Sequence, residues 1–176
     1  EGLVNPTETE LLNVLKAVAE ADIQANVEEV VNEPLISTEL KGSAVKKEAA
    51  GIHGSTVWTL KNGLKVIVLP TEYKKDQVIF TLEKDGGKNN IPVEDLPSFE
   101  DNIWQLYLAN TGVSKFSGTA LPKMLAGKRV AVNPYLSGYE HGVRGQSAPK
   151  DLETAFQLAY LYYADPRFDE NEFKAG

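Results

Sequence analysis

Two histidines, His53 and His141, are the only imidazoles in this chain, and it has no cysteine. A catalytic zinc takes three protein ligands and keeps one position open. Two imidazoles 88 positions apart do not make such a set. His53 stands in a Gly-flanked stretch, I-H-G-S, and reads as a solvated loop residue. Ser137-Gly-Tyr-Glu140-His141 would complete a zinc-binding H-x-x-E-H if residue 137 were His. It is Ser, and Gly138 and Gly142 bracket a segment that reads as strand, where residues i and i+4 do not share a helix face. Nucleophilic catalysis has no better footing, because no G-x-S-x-G elbow fixes a serine beside His141. Gly86-Gly87-Lys88 lacks the length and the Ser/Thr of a phosphate-binding loop and reads as a turn after a strand. Tyr160, Tyr162 and Tyr163 recur at helical spacing, which points to packing. The expectation is a chain with no catalytic group, no metal site and no cofactor of its own.

Composition narrows the partners. With 18 Lys and Arg against 25 Asp and Glu, the net charge is -7, and the lysine pairs 46–47 and 74–75 are flanked by acids. That excludes the clustered basic surface that phosphate backbones require. No apolar run approaches the ~18 residues of a membrane span. Absence of cysteine fits reducing and oxidising compartments equally, so localisation stays unread.

The elements that must position any function follow from periodicity. Thr7 and Glu10 stand in capping-box register, and Leu11, Leu12, Val14, Leu15 and Val18 predict a helix after them. A second short turn carries Ile23, Val27, Val30 and Val31 and stops before Pro34. Residues 1–33 are thus expected to form a helical connector or tail, and 34–55, rich in Lys, Glu, Ser, Ala and Gly, a linker. Strands then follow at 56–60 and 65–69, joined at Asn62-Gly63 by an expected type I′ turn, and at 78–83. Val66-Ile67-Val68-Leu69 suggests burial on both faces. Helices are expected over about 97–110 and 119–126, and a strand pair over 130–147. The strongest helix begins at Pro149, with Leu152, Ala155, Phe156, Ala159, Tyr160 and Tyr163 on its apolar stripe. A last helix begins at Asp169 and stops soon after, so 56–176 is expected to be the first part of a longer domain. The uncovered stripe and sheet edges would then promote self-association.

The wording T-V-W-T-L-K-N-G-L-K-V-I-V-L-P (56–70), E-K-D-G-G-K, K-F-S-G-T-A-L-P-K-M-L-A-G-K and D-L-E-T-A-F-Q-L-A-Y-L-Y-Y-A-D-P-R-F (151–168) resembles, in this order, the pitrilysin/insulinase family of zinc peptidases. The resemblance implies an α+β fold, a mostly antiparallel sheet packed against helices, within a clamshell whose halves enclose an extended peptide. The helix matching the family's zinc helix, 96–110, carries Glu100 and Asp101 but no histidine. The resemblance therefore points to the non-catalytic half, with zinc held in the catalytic half of the same or a partner chain. The alternative is an assembly domain of a catalytically inactive family member.

The candidate substrate-chamber residues are Tyr139 and Arg144, on a segment 139–144 whose glycines permit close approach of another backbone. Beside that reading stands a second one. In it Arg144 pairs with a local acid such as Glu140 and Tyr139 packs.

Overall fold

The computed structural model describes residues 5–21, 33–99, 107–108 and 110–175. Two compact units divide the chain, Glu1–Val30 and Val31–Gly176.

The first unit holds helix α1, Glu8–Glu20. Thr7 Oγ1 accepts from the Glu10 amide at 3.3 Å, and the Glu10 carboxylate accepts from the Thr7 amide at 2.7 Å, the reciprocal box expected from the sequence. The expected turn of helix around Ile23 to Val31 lies outside the described residues.

In the second unit, β1 (Val45–Ala50), β2 (Thr56–Leu60) and β3 (Lys65–Val68) form an antiparallel sheet in that order. The segment 34–55, expected to be a linker, thus contributes a strand, and the expected start of the domain at residue 56 falls within a sheet. Its sequence hides this because every β1 residue is exposed, so no apolar alternation marks it. Backbone pairing from Val45↔Leu60 to Ala50↔Thr56 holds it, with Trp58 Nε1 donating to Glu48 at 2.8 Å. The β2–β3 connection also departs from expectation. Gly63 alone takes a positive φ, 91°, and its amide donates to the Leu60 carbonyl at 3.0 Å. That geometry is a type I turn closed by a left-handed glycine, the three-residue hairpin. Nor is β3 buried on both faces. It is an edge strand, and Ile67 is 68% exposed.

The main sheet is β4 (Val78–Asp85), β8 (Glu140–Ser147) and β7 (Val130–Leu136), in that order and antiparallel. Before β7 come a two-residue pair, β5 (Gly112–Val113) and β6 (Phe116–Ser117), and helix α2 (Ala120–Met124). The expected 97–110 helix falls largely outside the described residues, Glu100 and Asp101 included. Helix α3 (Leu152–Ala164) packs on β7 and β8. Val113, Phe116, Val132, Val143, Ala155, Leu158 and Leu161 belong to the core between these elements. Each fully buried aliphatic side chain contributes about 1.5–3 kcal/mol.

The buried face of α3 is Thr154, Ala155, Leu158, Ala159 and Leu161, so the expected stripe is displaced. Small residues at 155 and 159 bring the helix axis close to the sheet. The aromatic rings spread to one margin, where Phe156, Tyr160 and Tyr163 remain 42–47% exposed. Helix α4 (Glu170–Ala175) is capped by Asp169, whose carboxylate accepts from the Asn171 amide at 3.0 Å. The whole is α+β, with antiparallel sheets and helices, as the sequence led one to expect.

Candidate functional site

Strand β8 is central, and its two neighbours fix what stands beside Arg144. Register places Thr81 of β4 and Asn133 of β7 opposite Arg144, and Tyr135 opposite Gly142. These residues share one side of the pleat. The Arg144 guanidinium lies over the Tyr135 ring, 4.1 Å from its centroid. A cation–π contact of this kind contributes about 0.5–1 kcal/mol at an exposed position, and it fixes a long side chain that stays exposed. Tyr135 itself is 8% exposed. Burial, then the Glu140 and Glu83 carboxylates, hold its phenol above the usual value, with Arg144 opposing.

Arg144 makes no ion pair with Glu140 among the described residues. The reason is geometric. Four residues along a strand span about 13 Å, and the guanidinium is turned instead onto the Tyr135 ring. The local-pairing reading of Arg144 is therefore replaced by stacking on Tyr135.

Tyr139 is not on the strand. It sits in the β7–β8 turn, with its ring 79% exposed, so it does not pack either. Its backbone is tightly held: the Gly86 amide donates to the Tyr139 carbonyl at 2.8 Å, and Lys88 and Asn89 amides donate to the Ser137 and Gly138 carbonyls at 2.9 and 3.0 Å. The Gly86-Gly87-Lys88 run is thus a turn that buttresses another turn. His141 joins the same buttress, its Nδ1–H donating to the Gly86 carbonyl. His53 stands in the turn between β1 and β2. No cluster of three His, Cys, Asp or Glu able to hold a metal occurs among the described residues.

Next to Tyr135 opens a mainly apolar cavity of about 290 Å³, lined by Phe99, Leu108, Tyr135, His141, Gly142 and Tyr163 among others. Tyr163 Oη donates to the Leu82 carbonyl at 3.4 Å, which keeps this ring at the cavity wall. Burial raises the Tyr163 phenol, with Tyr135 and Glu83 adding to it. A pocket of this size takes one large apolar side chain, and Arg144, which does not line it, carries its donors on the ring of Tyr135, which does. Sequence reasoning found Arg144 and Tyr139 but missed Tyr135 and the cavity. The signal was present: two strands flanking a turn at 137–139 place residue 135 opposite 142, an aromatic opposite a glycine.

Solved structures share this fold. The periplasmic protease PqqL from Escherichia coli matches 97% of this chain at 17% identity, with a TM-score of 0.72, over 19% of its own length. The ferredoxin protease FusC, solved with Arabidopsis ferredoxin, matches 99% at 16% identity and a TM-score of 0.62, again over 19% of its length. A protease from Helicobacter pylori matches 75% at 17% identity and a TM-score of 0.52, over 29% of its length. The chain therefore shares a fold with part of each of these proteases. The chain spans about a fifth of the length of the first two proteases. No protein-family profile matches the chain, and no curated protein does.

Proposed function

We propose that this chain is a non-catalytic, substrate-enclosing part of a larger zinc-dependent endopeptidase. The zinc lies in the parent's catalytic half, on the same or a partner chain, and the present residues hold an extended peptide. The observation that supports this reading is the exposed Arg144 guanidinium, fixed on Tyr135 beside an apolar cavity. Arg144 donates to a peptide carbonyl while the cavity takes a neighbouring apolar side chain. β4, an edge of its sheet, offers backbone groups for an added strand. Tyr139, exposed on a braced turn, presents an aromatic face at the end of that strand.

The test is a titration of the chain with a labelled, unstructured peptide, with and without a chelator. Binding without cleavage is expected, unaffected by the chelator. Arg144→Gln should weaken it about fivefold, the loss of roughly one net hydrogen bond, while the thermal midpoint stays within a few degrees. Binding abolished by the chelator, or equal in the variant, would refute the assignment.

A further inference from the structure

A net charge of -7 makes any local positive cleft conspicuous. At the far end of β8 from the apolar cavity lies an open cleft of about 370 Å³, lined by Lys74, Gln77, Lys128, Arg129, Gln146 and Ser147 among others. Two of its three cations are held in place. Arg129 Nη1 pairs with Asp76 at 2.7 Å, and Lys128 Nζ donates to Thr154 Oγ1 at 3.1 Å. Gln77 Nε2, just before β4, donates to Gln146 Oε1 of β8 at 2.8 Å. Below them the backbone is pinned too. The Arg129 amide donates to the buried Asp151 carboxylate at 3.0 Å, and the Ala148 amide to the Arg129 carbonyl at 2.9 Å.

The charge balance is clear. Three cations face two carboxylates, and Asp151 already accepts from backbone inside the fold, leaving Asp76 as the exposed counter-charge.

We infer that this cleft is a binding site for a small oxyanion group, the carboxylate of an acidic peptide or inorganic phosphate. Lys74 and the Arg129 guanidinium supply charge, and Gln77 and Gln146 polar walls. The peptide source rests on the function proposed above and extends it. Gly142, at the apolar cavity, and Gln146, at the cleft, are about 13 Å apart along the strand. An extended ligand with an apolar side chain and an acidic group roughly four residues apart would meet both.

The experiment follows backbone amide shifts of residues 129–131 and 146–148 by NMR in the whole chain. Three probes are added: inorganic phosphate, an apolar–acidic peptide with its carboxylates free, and the same peptide with Asn and Gln for its acids and an amidated end. The acidic peptide should bind about fivefold tighter than the neutral one, with Lys74→Gln and Arg129→Gln each removing most of that difference and added salt doing the same. Lys74 carries no hydrogen bond among the described residues, so its variant tests charge without disturbing the fold. Phosphate moving these amides while neither peptide binds would keep the oxyanion site and refute its peptide source. Acidic and neutral peptides binding alike, with no phosphate response and no effect of Lys74→Gln, would overturn the site and leave the peptide-holding function standing.

Discussion

Gly145→Ala is the sharpest single test of how this sheet is built. A methyl added there would sit 2.2 Å from Phe80 Cζ and within 2.8 Å of both Cε atoms. Phe80 in turn stacks on Phe156 of α3, with ring centroids 4.9 Å apart. The ring must move, and moving it disturbs the contact between β4 and α3. Overpacking of this kind costs about 1–3 kcal/mol, and loss of the ring pair adds about 0.5–1.5 kcal/mol. Alanine also restricts the unfolded chain, which returns about 0.4–1 kcal/mol. Because the colliding atoms are the outer end of a ring at a half-exposed position, the low end applies, and the net loss is about 1–2 kcal/mol. With a urea slope of about 2 kcal/mol per molar, the midpoint falls by roughly 0.5–1 M. Urea melts followed by circular dichroism measure it. Phe80→Ala supplies the decisive comparison, since its shortened side chain leaves room for the new methyl. The double variant should then be more stable than the sum of the two single losses predicts, by about 0.5–2 kcal/mol. Additive losses would show that Gly145 and Phe80 do not meet, and the packing argument would fail.

Two further outcomes follow from local chemistry. Thr7→Ala removes the acceptor for the Glu10 amide and half of the capping box of α1, so helicity over 8–20, read from carbon chemical shifts, should fall by an amount equivalent to about 1 kcal/mol; unchanged shifts would mean the cap does not hold that helix. The Asp76 carboxyl is held below its ordinary range, first by its hydrogen bond from Arg129 and then by that cation's charge. A lowered folded-state pKa stabilises above the unfolded value and is lost as pH falls through the folded one, so Asp76 should titrate at lower pH in the native chain than in Arg129→Gln, and equal midpoints by NMR would remove the pair.

How much was legible in the sequence depended on whether side chains or backbone held each element. The Thr56–Leu60 and Lys65–Val68 strands, the pair over 130–147 and the helix from residue 152 were all visible, because apolar period and turn residues agree there. β1 was not, since its Lys, Glu and Ala side chains are exposed and only the ladder to β2 defines it. The orientation of α3 was misread for a related reason. A stripe search favours large rings, yet Ala155 and Ala159 set the contact and the rings flank it. Of the candidate site, Arg144 was found from its charge on a glycine-rich strand. Its partner Tyr135 needed the register, and the cavity needed residues from separate elements, which no local pattern encodes.

The two glycines of β8 connect fold to site. Gly145 leaves room for Phe80, whose ring carries the contact to α3. Gly142 leaves room for Tyr135, whose Cε1 would lie 3.0 Å from an added methyl and whose ring carries Arg144. They stand three residues apart, an odd number, so their absent side chains would point to opposite faces of the pleat. One face of the central strand is thereby given to packing and the other to presenting a charged side chain. A side chain at 142 would also meet the Leu82 carbonyl at 2.0 Å, so the β4–β8 ladder and the seat of Tyr135 depend on the same atom being missing. The presentation of Arg144 is therefore not a surface decoration on the sheet. It is set by the same strand spacing that lets the sheet close against its helix.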